Sequence, residues 1–227
     1  MGHVGYLVPM VAPSVGTPTK EVRHPLGDFA LATVRIADYE IAKITDPNSP
    51  VGMAKLSTPA SAELTAELDG ATEWLGLPSD EILLGALSRT IARTLGDGLV
   101  AVDVANGRGP LLDAVPLTCA TARQMNSTEV LAAVHRALAA GAESDSTAPS
   151  EVYFNFIGEV PEGTEPVQET PSALGHMLEV RVYRTAGDVH VDWWYDINRF
   201  ASHTVSELSE QFPLSLYEMT SDALPPF

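Results

Sequence analysis

Two hydrophobic periods run along this chain, and the switches between them lay out its elements. Leu83, Leu84, Leu87, Ile91 and Leu95 return at helical spacing, as do Val130, Leu131, Val134 and Leu138, and again Val205, Leu208 and Phe212. Thr58-Pro59 offers a hydroxyl cap followed by a first-turn proline, and Gly76 offers a stop. The pattern predicts helices over 59–75, 79–95, 127–140 and 203–219. Ser79 is the expected cap of the second, with Asp80 and Glu81 in its first turn facing the helix dipole favourably. Asn126-Ser-Thr-Glu129 starts the third. Ser202 or Thr204 caps the last, which Pro213 should kink or interrupt.

Between the helices the period falls to two. Leu99–Val104 reads as a strand buried on both faces apart from Asp103. Leu178, Val180 and Val182, then Val189, Val191 and Trp193, alternate around Thr185-Ala-Gly-Asp188 and predict a hairpin. Phe29 to Ile44 suggests two short strands broken near Ala37-Asp38. The central stretch is Glu151-Val-Tyr-Phe-Asn-Phe-Ile-Gly158, a short strand with one polar side chain, Asn155, between Phe154 and Phe156. Alternation places Tyr153, Asn155 and Ile157 on one face and Val152, Phe154 and Phe156 on the other. The Asn155 amide must bond neighbouring backbone, fixing strand register, or face a cavity. Trp193-Trp194-Tyr195 puts large aromatics on both faces of its strand: core on one side, and on the other a covering helix or a ligand facing Trp194.

Helices and strands in this order make an α/β two-layer sandwich, whose strand order the pattern does not give. Residues 1–28, dense in Pro and Gly, read as an extended arm, and 29–227 as a single domain. Asp46–Pro50, residues 142–149 and residues 159–172 read as loops. Residues 111–125 carry Cys119 among Leu117, Thr118 and Ala120, where a thiol is most often a small core residue.

Composition narrows the function. At 227 residues and 45% hydrophobic the chain can bury a full core. No apolar run reaches the 18 residues of a membrane span, and no secretory signal is apparent, so a cytoplasmic location is the default expectation. A formal charge of −17, from 30 acidic against 13 basic residues, disfavours nucleic acid and anionic membranes as partners. The single cysteine excludes an internal disulfide and multi-cysteine metal sites. No phosphate-binding loop, metal-ligand spacing or Ser-His-Asp arrangement stands out, so neither cofactor nor metal is expected.

Three stretches resemble a known family in its own order. Phe154-Asn-Phe-Ile-Gly158 is similar to the Phe-Asn-Tyr-Leu-Gly signature of condensation and epimerization domains of nonribosomal peptide synthetases. Asp80-Glu-Ile-Leu-Leu-Gly-Ala-Leu87 resembles the family's Asp-x-Leu-Leu-x-Ala helix, and Val104-Ala-Asn-Gly-Arg-Gly109 its Glu-Gly-His-Gly-Arg-Glu loop. The resemblance runs from about Leu56 to Met219 and covers the C-terminal lobe alone. It implies a mixed β-sheet with helices packed on one face, the fold of chloramphenicol acetyltransferase, in a protein where two such lobes enclose an active-site cleft.

That resemblance also marks what the chain lacks. The resemblance implies, for epimerization domains, that the acid opening this loop acts as an acid/base at the substrate α-carbon, and here the position is Val104. The family's His is Asn106. The His-His-x-x-x-Asp-Gly motif belongs to the other lobe, and none of the six His here adjoins another. No catalytic residue is therefore assigned. Asn155, Phe156, Asn106, Arg108, Trp193, Trp194 and Tyr195 are the candidates for lining a cleft or meeting a partner. The expectation is a non-catalytic module that binds a carrier protein, a synthetase segment or a second lobe. The alternative is an enzyme completed by pairing, a split or homodimeric acyltransferase or epimerase. A lobe alone exposes its cleft face, so a homodimer or capture of a second lobe is expected, with the arm and the Trp193–Tyr195 cluster contributing.

Overall fold

The computed structural model describes residues 32–39, 52–105, 112–140, 150–161, 169–172 and 174–225. These form one unit of six strands and four helices. In chain order they are β1 (Met53–Ser61), α1 (Ala62–Leu75), α2 (Ser79–Thr94), β2 (Gly98–Ala105), β3 (Leu112–Cys119), α3 (Ser127–Ala140), β4 (Val152–Glu159), β5 (Leu178–Thr185), β6 (Asp188–Asp196) and α4 (Ser202–Asp222). The strands make one sheet in the order β1-β6-β5-β4-β2-β3. Its centre, β2-β4-β5, is parallel and its flanks are antiparallel. The mixed sheet with helices on one face is the two-layer architecture expected.

Strand register explains the two layers. Val104, Phe154, Val180, Trp193 and Leu56 lie side by side across five strands and face the helices. Phe154, Val180 and Trp193 are fully buried, and Trp193 meets Phe212 of α4 edge-on at 5.7 Å. Burying Phe154 alone contributes about 1.5–3 kcal/mol. Trp193 Nε1 donates to Thr58 Oγ1 at 3.2 Å, so its polar end is also satisfied. The α2 helix is buried almost throughout and packs against α3 and α4. Its Arg89, fully buried, donates to the Ala120 and Met125 carbonyls and lies 3.0 Å from Glu218 of α4. Burial pulls the Arg89 pKa down, while Glu218 works to hold it up.

Several ends differ from their expected places. Thr58-Pro59 does not open α1. Both lie in β1, an edge strand where proline's missing N–H is tolerated, and Ser61 caps the helix by accepting from Leu64 N at 3.2 Å. Gly76 ends α1 as expected, with φ 66° in the left-handed region. Neither α2 nor α4 has a side-chain cap: Ser79 lies inside α2 after Pro78, and α4 starts after Ala201, ahead of Thr204. The Ala201 backbone N–H donates instead to Asp38 Oδ2 at 2.8 Å, an acceptor 163 residues away. Pro213 sits within an unbroken α4. Residues 112–119, left without a strand assignment by their mixed pattern, form β3. Asn126 and Glu129 cap α3 reciprocally, at 2.9 and 2.8 Å.

Among residues 32–39 there is no strand, only a single parallel bridge from Thr33 to Leu99. It lies beside the start of β2, ahead of the point where β4 begins to pair, and Val34, Ile36 and Ala37 are buried. Gly98 permits this approach: a Cβ there would collide with the Ala32 carbonyl oxygen that accepts from Leu99 N. The hairpin turns at Ala186 (φ 51°) and Gly187 (φ 88°), the paired positive φ values of a two-residue turn matched to strand twist. The 1–28 arm, the Asp46–Pro50 loop, Asn106, Arg108 and residues 142–149 lie outside the described residues.

Candidate functional site

The face of the sheet away from the helices is built from the alternate residues of the same strands, and it is polar. Asp103, Tyr153, Glu179, Trp194 and Lys55 form one row across β2, β4, β5, β6 and β1. Ala105, Asn155, Arg181, Asp192 and Ser57 form the next. Charged groups seldom go under cover unpaired, and here each has a partner. Arg181 Nη2 donates to Glu179 Oε2 at 3.1 Å, with both side chains almost wholly buried. Lys55 Nζ lies 3.0 Å from Asp192 Oδ2 and 2.6 Å from Glu169 Oε2. Ser57 Oγ donates to Asp192 Oδ1 at 2.6 Å, and Tyr183 to its other oxygen at 3.3 Å.

Trp194 stands between the two cations, with Lys55 Nζ 5.5 Å and Arg181 Cζ 5.7 Å from its ring centroid, inside cation–π range. At the other end of the row, His176 Nε2 lies 2.7 Å from Asp103 Oδ2, and the imidazole stacks on Tyr153 at 5.0 Å. Asp103 Oδ2 also accepts from Ser150 N at 3.3 Å, so this carboxylate gathers the segments that lead into β4 and β5. Burial penalises the charge of Lys55, but Glu169 and Asp192 outweigh it and its pKa stands raised. Burial raises the Tyr153 pKa, with Glu179 adding to the effect and Arg181 opposing it. Burial, seconded by Asp192, raises that of Tyr183.

Of the residues singled out from sequence, Asn155 and Trp194 both lie on this polar face, on β4 and β6, with β5 between them. Phe156 and Trp193 lie on the helix-facing side, and alternation puts Tyr195 there too. Asn155 Oδ1 and Trp194 Nε1 are buried and have no hydrogen-bond partner among the described residues. Of the two readings open for the Asn155 amide, a bond to neighbouring backbone is not made by its oxygen among the described residues. Asp103, expected to be exposed, is 4% exposed. Val104, the position matched to the family's acid, turns into the helix-packed core opposite Phe154 at 2% exposure.

Sequence reasoning passed over His176, Glu179, Arg181, Lys55 and Asp192. The signal was present for three of them: Glu179, Arg181 and Asp192 alternate with the apolar residues of the hairpin, as a second covered face requires. Among the described residues no three His, Cys, Asp or Glu side chains gather as a metal site, and no helix is long and apolar enough to cross a membrane. Cys119 is buried, and burial pushes its thiol up to about 12, which leaves it unreactive at neutral pH.

Sheet order, one-sided helices and the placement of the Phe154–Gly158 strand define the class: the chain has a condensation/epimerization-domain-like fold. It superposes on the X-domain in the complex of the X-domain and OxyB from teicoplanin biosynthesis with a TM-score of 0.60, at 18% identity, over 87% of this chain and 51% of that one. The condensation domain of the monacolin K polyketide synthase MokA gives 0.59 at 13% identity over 90% and 56%. The epimerization domain from the third module of tyrocidine synthetase B gives 0.52 at 13% over 79% and 53%. In sequence, the chain is 32% identical over 241 residues to one of the phenolphthiocerol/phthiocerol polyketide synthase proteins of Mycobacterium tuberculosis (strain CDC 1551 / Oshkosh), and equally to its counterpart in Mycobacterium bovis. That match takes in 85% of this chain and 16% of the synthase protein. The chain thus spans about half of the solved structures named and a sixth of its curated relatives. No family model matches it.

Proposed function

We propose that this chain is a non-catalytic, half-condensation-like module that binds a partner within a secondary-metabolite synthetase: a carrier protein, a synthetase segment or a second lobe. The observation that carries the reading is Val104. A proton leaves or reaches an α-carbon only through a titratable group held against it. The position that would supply that group is aliphatic, and its side chain is packed under the helices opposite Phe154. The neighbouring carboxylate, Asp103, faces the other way and is engaged by His176 and Ser150. The similarity to a polyketide synthase protein and to condensation domains supports the synthetase setting, and the polar sheet face offers the partner its hydrogen-bonding groups.

The chain incubated with an aminoacyl carrier protein in deuterium oxide is expected to leave the α-proton in place. Exchange above the enzyme-free rate, abolished by heating the chain, would overturn the non-catalytic reading. The alternative, an enzyme completed by another lobe, draws on the solved structures' greater length, of which this chain covers 51–56%. Exchange that appears only after addition of a His-motif lobe would establish it.

A further inference from the structure

We propose that the start of β2 and the N-terminus of α4 form a recognition groove for an extended peptide, and that residues 32–39 are its resident occupant, held in cis as a separable strand. The groove is independent of the partner-binding reading, because its occupant belongs to this chain. The receiving groups are main-chain atoms. Leu99 donates its N–H to the Ala32 carbonyl at 2.9 Å and accepts from Val34 N at 2.9 Å, the two bonds of a parallel strand addition. Farther along, the Arg199 carbonyl accepts from Asp38 N at 2.9 Å and from Tyr39 N at 3.2 Å. The Ala201 N–H reaches the Asp38 carboxylate at 2.8 Å. Main-chain bonds of this kind hold an extended peptide whatever its sequence, and alternate side chains supply the selection.

Three features supply that selection here. Val34 and Ile36 turn inward and are buried, while Thr33 and Arg35 alternate with them and are exposed. Gly98 lets main chain come close, since a Cβ there would meet the Ala32 carbonyl oxygen. The third feature is the end of α4. That 21-residue helix begins after Ala201 with no side-chain cap and no acid in its first turn. Its N-terminal dipole is answered instead by a carboxylate 163 residues away in sequence. The pattern recognised is therefore an aliphatic residue, a spacer, a second aliphatic residue and, two positions on, an aspartate.

The segment is attached as a ligand would be. It adds one bridge to β2 and takes no part in the six-stranded sheet. Arg35 folds back along it, donating from Nε to the Ala37 carbonyl at 3.1 Å and from Nη2 to that of Asp38 at 3.2 Å. Those bonds shape the turn that presents two N–H groups to the Arg199 carbonyl. Within residues 32–39 only Val34, Ile36 and Ala37 are buried, too little apolar surface to tie the opening of the segment to that of the core.

Amide hydrogen exchange on the full chain tests the groove. The Val34, Asp38, Tyr39, Leu99 and Ala201 amides are expected to open as one unit, with protection at least about tenfold below the β5 amides and a smaller denaturant dependence. Ile36→Asp should eject the segment, deprotecting Leu99 and Ala201 while β5 stays protected. A synthetic peptide of residues 32–39 added to that variant should re-protect both. The same peptide carrying Asp38→Ala should bind about fivefold more weakly, the usual worth of a helix cap, and leave Ala201 open. Groove amides that exchange only with β5, at the same denaturant dependence, would overturn the proposal. So would a folded Ile36→Asp chain that no excess of peptide re-protects. Should Ile36→Asp fail to fold, Asp38→Ala in the full chain decides: opening of Ala201 and Tyr39 ahead of β5 upholds the groove, and any other order removes it.

Discussion

Arg89→Met tests how α2, α4 and the segment after β3 are joined. Methionine keeps most of the volume and the helix propensity, so the loss is that of the guanidinium. Arg89 donates to the Ala120 and Met125 carbonyls, the latter at 2.6 Å, and each charge-assisted bond is worth about 1.5–3 kcal/mol. Its Nε lies 3.0 Å from Glu218 Oε1, close enough for an ion pair although the angle misses that of a hydrogen bond. Glu218 is not stranded by the change, since Arg93 Nη2 holds its other oxygen at 2.5 Å. The two carbonyls, however, lose a fully buried donor. The net cost is about 3–5 kcal/mol, the range for breaking a buried charged cluster, which lowers Tm by roughly 6–20 °C for a domain of this size. Urea melts should show the midpoint falling at constant m. Combination with Glu218→Gln should give a coupling of at least about 1 kcal/mol, because the side chains touch. A loss below about 1 kcal/mol for Arg89→Met, the worth of a solvent-exposed pair, would refute the claim that this cluster fastens the helices.

Other expectations follow from single positions. Gly98→Ala should cost about 1–3 kcal/mol in urea melts and deprotect the Val34 and Leu99 amides, because a Cβ there displaces the Ala32 carbonyl; an unchanged melt would show that the 32–34 segment moves freely. Asn155→Ala should change stability by less than about 1 kcal/mol, since the oxygen removed has no partner among the described residues to strand; a larger loss would mean that the amide is bound in the sheet. The Cys119 thiol, raised from 9.0 to about 12, stays protonated in the folded chain at pH 8 and should resist iodoacetamide until unfolding, as mass spectrometry would record. The stabilisation linked to that neutral thiol is complete below about pH 9 and fades towards pH 12; rapid native labelling at pH 8 would contradict it.

The sequence carried the helices and the hairpin well, because each has a strong period and its own stop, as with Gly76 and Ala186-Gly187. It carried β1 and β3 poorly. Edge strands are half exposed, so Met53–Ser61 shows little alternation, and its Thr58-Pro59 pair imitates a helix start. The missing caps of α2 and α4 have a similar origin: the acceptor for Ala201 N comes from Asp38, far away in sequence, and no local pattern announces it. The polar face was visible only in part. Asn155 stood out because it interrupts an apolar strand, whereas Asp103 was read as an exposed exception since a buried acid needs a partner, and that partner, His176, lies 73 residues on.

The pairing of β1 with β6 has a consequence for how this chain acquires its shape. Ser57 and Asp192 share a hydrogen bond across 135 residues, and every other contact of β1 with the sheet is similarly remote. Contacts of such span pay their loop-closure entropy late, so the sheet is expected to grow outward from its local hairpin, β5-β6, and to take up β1 near the end. During synthesis β1 leaves the ribosome before the other described strands and must wait, uncommitted, until Asp196 has emerged. For that interval Leu56 and its neighbours are available to other chains, and the step most exposed to chaperones and to aggregation is the addition of this one edge.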